Sequence, residues 1–141
     1  MGFKKLQKIL VPLDGSKTSL RGLNLAIILA KSTGSDIIGL NIFSFPLFFP
    51  ISSDVKNTIR KKSEEIIKQA ELLSRKENVS FRGVNKIGDN VGKAIISFSD
   101  DNMIDMIIIG SRGPDPEADM FLGSVANYVI NKSKIPVTVV K

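Results

Sequence analysis

A chain of 141 residues, 43% hydrophobic, with no cysteine and no histidine, is long enough for one domain with a single core, expected to span 1–141. The composition excludes a disulfide framework, thiolate chemistry, a zinc site and a histidine-dependent triad, and leaves carboxylates as side-chain ligands for any hard cation. The net charge of +6 and pI near 9.7 suit an anionic ligand. The lysines are scattered, however, and phenylalanine supplies nearly all the aromatics. This pattern reads as a solvated basic surface, with no nucleic acid partner. No apolar run approaches about 18 residues and the N-terminal MGFKKLQK is no signal peptide, so the expected location is cytoplasmic, with no membrane partner.

Leu6 to Leu13 reads as a buried strand that breaks at Pro12-Leu13-Asp14-Gly15-Ser16, since proline lacks the N–H a strand interior needs. Ser16 or Thr18 is placed to cap a helix whose Leu20, Leu23, Ile27 and Ala30 share a face, and Gly34 stops it. Asp36 to Phe43 is a second strand. The segment Phe43 to Pro50 holds two prolines and four phenylalanines. It cannot be a helix and is too aromatic for an ordinary solvated loop, so Phe45, Leu47, Phe48 and Phe49 are expected to be at least partly covered.

Ser52 or Ser53 caps a long helix with Val55, Ile59, Ile66, Ala70 and Leu73 as its apolar positions. Val79 to Ile87 is a more polar strand and reads as a sheet edge. Gly88-Asp89-Asn90 forms a turn, and Val91, Ala94, Ile95 and Phe98 mark the inner face of a third helix. Ile104 to Ile109, Ser124 to Lys132 and Val137 to Val140 read as strand, helix and strand. Strict alternation of strands and helices predicts an α/β fold with a parallel sheet and helices on both faces.

After the fourth strand comes a glycine pattern, Gly110-x2-Gly113-x9-Gly123-Ser124, which opens the last helix. Glycines between a parallel strand and a helix let main-chain N–H groups approach a phosphate, at the point where the helix supplies about half a positive charge. The plainer alternative is that Gly110 ends a strand, that Gly113 and Gly123 form turns needing positive φ, and that Ser124 caps the helix.

The whole chain resembles the universal stress protein family, small α/β proteins related to the adenine-nucleotide α-hydrolases. The residues that carry the likeness are Lys8-Ile-Leu-Val-Pro-Leu-Asp14-Gly-Ser16, Gly88-Asp89, the terminal glycine pattern and Ile135-Pro-Val-Thr-Val-Val140. The resemblance implies an open five-stranded parallel sheet of order 3-2-1-4-5, with ATP, ADP or AMP bound above the carboxyl ends of strands 1 and 4, where the order reverses. It further implies a nucleotide site made of Pro12, Asp14, Ile42, Gly110, Arg112, Gly113, Gly123, Ser124 and Val125. A carboxylate at Asp14 can accept from ribose hydroxyls or join Mg²⁺ or Mn²⁺ to phosphate; the resemblance implies the first role, at the ribose or the adenine edge. The plainer alternative for Asp14-Gly15 is an Asx-type turn. The main chain of Ile42 would read the adenine edge. Finally, the resemblance implies a homodimer in which the strand 136–140 pairs with its twin, sparing an exposed edge.

One departure from the family concerns the spacer, Pro-Asp-Pro-Glu-Ala-Asp-Met-Phe-Leu, which carries Asp115, Glu117 and Asp119 and no basic residue. Each carboxylate near a triphosphate would repel it by about 1 kcal/mol in water-like dielectric. Stronger metal dependence, a preference for AMP, and a loop turned away from the ligand all remain open. Three functions follow from the residues: a nucleotide-dependent regulatory protein, a nucleotide-independent dimeric scaffold, and a slow ATPase. The last would need Asp14 or a spacer carboxylate as base in place of histidine.

Overall fold

The computed structural model describes residues 5–46, 50–112 and 122–141. The elements are β1 (Lys8–Pro12), α1 (Lys17–Thr33), β2 (Asp36–Phe43), α2 (Ser53–Lys76), β3 (Phe81–Ile87), α3 (Val91–Asp101), β4 (Met106–Gly110), α4 (Ser124–Lys132) and β5 (Val137–Val140). All four strand pairings are parallel, in the order β3-β2-β1-β4-β5. The strand ends differ from the sequence-based limits by one or two residues, the usual scatter at frayed ends.

Because side chains alternate along a strand, the sheet feeds two cores. Ile9, Val11, Ile37 and Ile108 meet Leu23, Ala26, Ile27 and Ala30 of α1 and Ile67 and Ala70 of α2. Leu10, Ile38, Leu40, Ile107 and Ile109 meet Ile95 and Phe98 of α3 and Ala126 and Val129 of α4. The helices therefore cover both faces, α1 and α2 on one and α3 and α4 on the other.

The starts of the first three helices follow their sequences. Ser16, Ser52 and Asn90 each accept a first-turn N–H, from Ser19, Val55 and Lys93. Gly34 ends α1 at φ 74°, a left-handed conformation that suits glycine. The inner face of α2 departs from the expected one. Ser63, Ile67, Ala70 and Ser74 are buried, whereas Val55 and Leu73 are exposed. Two serines can occupy this face because each has a partner: Ser74 donates to Ala70 O and Ser63 to Asn41. In α3 likewise, Ile95 and Phe98 are buried but Val91 is exposed.

Phe45 is half-buried. Its ring meets Phe43 edge-on at 5.7 Å and lies beneath Lys56 and Arg60 of α2, 5.9 and 5.6 Å from the centroid. Leu47, Phe48 and Phe49 lie outside the described residues.

Candidate functional site

The order reversal between β1 and β4 forces the chain to leave these neighbouring strands in opposite directions, which opens a crevice at their carboxyl ends. Among the described residues a cleft of 540 Å³ lies there. Its floor is Pro12, Leu13, Leu40, Ile109 and Gly110. One wall is α2, through Ile59, Lys62, Ser63 and Ile66. The other is α3, through Val91 and Ile95, with Ser124, Val125 and Ala126 from the first turn of α4. Asp14, Ile42, Arg112 and Gly123 also line it. Eight of the nine residues predicted from the sequence thus come together at one cleft, and Gly113 lies outside the described residues.

Each has a local cause. Val11 and Pro12 end β1, and Leu13 still donates its N–H to Leu40 O at 2.8 Å. The chain then turns away at Asp14, whose Oδ1 accepts the Ser16 N–H at 2.8 Å. Gly15 follows at φ 85°, a conformation glycine adopts without strain. The Asx turn is therefore present, and Asp14 still faces the cleft. Oδ2 has no hydrogen bond among the described residues. Main-chain groups alternate in direction along β2, so Ile42 points its N–H and C=O to the same side as Leu40. There β1 has already left, and these groups meet the cleft.

Gly110 is glycine because α1 starts against it. A Cβ at this position would stand 2.6 Å from Thr18 Oγ1, 2.7 Å from Thr18 C and 2.8 Å from Ser19 N. Its φ is not positive, so close approach, and not a left-handed turn, is what demands glycine. The next residues are clamped. The Ser111 N–H donates to Val140 O at 2.8 Å, Ser111 O accepts from Gly123 N–H at 2.7 Å, and Arg112 O accepts the Thr18 hydroxyl at 2.8 Å. The two stems of the glycine loop are thus held together at Ser111 and Gly123. The spacer carboxylates Asp115, Glu117 and Asp119 lie outside the described residues.

The start of α4 differs from the other three helix starts. Gly123 occupies the N-cap position at φ −65° and ψ 159°, and among the described residues no side chain caps the helix. Ser124 is the first helical residue and not the cap, which corrects the capping alternative. Since Asn127 N–H bonds Gly123 O, the N–H groups of Ser124, Val125 and Ala126 have no acceptor within the helix. All three residues border the cleft. These donors and the helix dipole make the α4 end of the cleft favourable for an anion.

The model of the universal stress protein family matches residues 5–141. The chain belongs to the universal stress protein family. A universal stress protein of Methanocaldococcus jannaschii is 24% identical over 140 residues, covering 96% of this chain and 82% of that protein. Among solved structures, the universal stress protein UspA from Lactobacillus plantarum superposes with a TM-score of 0.87 at 16% identity, covering 99% of this chain and 100% of that one. The universal stress protein from Archaeoglobus fulgidus in complex with dAMP has a TM-score of 0.71 at 24% identity, with 98% and 100% covered. These likenesses share the universal stress protein fold found here.

Sequence reasoning missed the α2 and α3 walls. In the sequence Ile59, Ile66 and Ile95 read only as core positions, and nothing there marks Lys62 or Ser63. One signal was available: Asn41 is a polar residue within the apolar strand β2, and it is buried at the cleft. Among the described residues there is no cluster of three or more acidic, histidine or cysteine side chains able to hold a metal ion, and no helix long and apolar enough to cross a membrane.

Proposed function

We propose that the cleft binds an adenine nucleotide, and that the protein acts as a nucleotide-dependent regulator. The observation that carries this reading is the first turn of α4, which faces the cleft and has no side-chain cap among the described residues, across an apolar floor from Asp14. The base occupies the apolar slot, with the main chain of Ile42 at its edge. Asp14 Oδ2 accepts from a ribose hydroxyl. The N–H groups of Ser124, Val125 and Ala126 take the phosphate, with Arg112 at the mouth. The relative solved with dAMP supports this class of ligand. ATP, ADP and AMP all present the required base, sugar and first phosphate. A Mg²⁺ or Mn²⁺ ion would be held chiefly by phosphate oxygens, with Asp14 as the one described cleft-lining carboxylate. Binding, and not turnover, is the role assigned: the chain has no histidine, and Asp14, the one described cleft-lining carboxylate, is engaged by the Ser16 N–H and, in this reading, by the ribose, which leaves it unsuited to activate a water.

Asparagine and alanine at position 14 test the ribose contact. Asp14→Asn keeps an acceptor for the Ser16 N–H but removes the charge, whereas Asp14→Ala loses both. Titration with AMP is expected to show a loss of about 10- to 100-fold for alanine, the worth of charge-assisted hydrogen bonds. A smaller loss is expected for asparagine, with its melting temperature retained. Undiminished affinity in Asp14→Ala would refute the assignment.

The regulator is further proposed to be a homodimer. β5 lies at the sheet edge and all four of its residues are only half-buried, so pairing with its twin would satisfy the open edge. Sedimentation should give twice the 15.4 kDa of one chain. A single-chain mass at tens of micromolar would contradict it.

A further inference from the structure

On the α2 face of the sheet, at the cleft, three polar side chains stand among apolar ones. Asn41 and Asn85 are register partners on β2 and β3, and Ser63 reaches down from α2 between them. Asn41 Nδ2 donates to Leu13 O at 2.6 Å, Ser63 Oγ donates to Asn41 Oδ1 at 2.6 Å, and Asn85 Nδ2 donates to Ser63 Oγ. A main-chain carbonyl can only accept, so Leu13 O fixes the polarity of the whole relay. The Asn41 amide must present its NH₂ to Leu13, leaving its oxygen for the Ser63 hydroxyl, which then accepts from Asn85. Asn41 and Ser63 are 5% and 3% exposed, and both border the cleft.

We infer that this relay positions Asp14 for the sugar of the bound nucleotide, with Asn41 as its final link. The inference rests on the nucleotide reading above. Leu13 is the residue before Asp14, and the relay holds its carbonyl just as Leu40 O holds its N–H. With both main-chain groups fixed, the exit direction of β1, and hence the carboxylate that follows, is set from three elements at once. Packing alone would not need such a device, since apolar groups of the same shape can replace a buried hydrogen-bonded set at little cost. None of the three side chains is required to touch the sugar; they act through Leu13 and Asp14.

The test is a comparison of AMP with 2′,3′-dideoxy-AMP, which lacks the hydroxyls Asp14 would hold, on wild type, Ser63→Ala, Asn85→Ala and each change combined with Asp14→Ala. Ser63→Ala is expected to weaken AMP by about 5- to 10-fold and dideoxy-AMP by less than about twofold, with the AMP effect vanishing in the Asp14→Ala background. If Ser63→Ala fails to fold, Asn85→Ala, at the exposed end of the relay, carries the test with an expected loss of about 2- to 5-fold and the same dependence on the hydroxyls. Equal weakening of both nucleotides, or a loss that persists without Asp14, would overturn the inference and leave nucleotide binding intact. A wild type that binds neither nucleotide would overturn both.

Discussion

Gly123→Asp is expected to raise stability and to destroy phosphate binding at once. The backbone at Gly123 is in the extended region, φ −65° and ψ 159°, which any N-cap residue adopts. An aspartate there would accept a first-turn N–H and complement the helix dipole. Together these contribute roughly 0.5–1 kcal/mol of stability and a rise of a few degrees in Tm. The same carboxylate would occupy the donors that the phosphate needs and repel it by about 1 kcal/mol. With the lost charge-assisted hydrogen bonds, the affinity for AMP should fall about 100-fold. Adenosine, which has no phosphate, should bind the variant as it binds wild type. Equal losses for AMP and adenosine would mean that the start of α4 is not the phosphate site. Melting curves and titration on one preparation separate these outcomes.

Gly110→Ala is expected to lower stability and affinity together. The new methyl would meet Thr18 C at 2.7 Å and Ser19 N at 2.8 Å. These are main-chain atoms, so no rotamer change relieves the contact and the start of α1 must move. Overpacking of this kind costs about 1–3 kcal/mol, which for a domain of this size is on the order of 5–10 °C in Tm. Displacing α1 also strains the Thr18 hydrogen bond to Arg112 O and with it the stem of the glycine loop. AMP affinity should therefore fall even at temperatures where the variant is folded. An unchanged melting temperature would contradict the close approach of α1 to β4.

These two glycines show how far the sequence could be read. The strands were legible because a sheet buried on both faces writes nearly continuous apolar runs, as in Ile107, Ile108 and Ile109, and glycine, proline and serine punctuate them. The position of the cleft followed from the strand order. The reason for each glycine did not. Gly110 and Gly123 look alike in a motif, yet one is held by the packing of α1 and the other leaves a helix end open. That distinction depends on Thr18, 92 positions before Gly110 in the chain. The relay was hidden for the same reason. Ser63 reads as a solvated helical residue until β2 and β3 bring Asn41 and Asn85 beneath it. Val55 and Leu73 match the helical period but are exposed, whereas Ile67 packs so closely over Gly83 that a Cβ there would clash with its Cγ2. Periodicity finds a face of a helix, and the partner surface decides which part of that face is covered.

Calorimetric titration of the wild-type protein with adenosine, AMP, ADP and ATP, each with and without Mg²⁺ or Mn²⁺, decides whether the cleft is a nucleotide site. At least one adenine nucleotide is expected to bind with Kd below about 1 mM, that is, more tightly than about −4 kcal/mol. Affinity is expected to rise clearly from adenosine to AMP, because the first phosphate is what the first turn of α4 receives. Absence of binding by every adenine nucleotide in all of these conditions would refute nucleotide binding at this cleft.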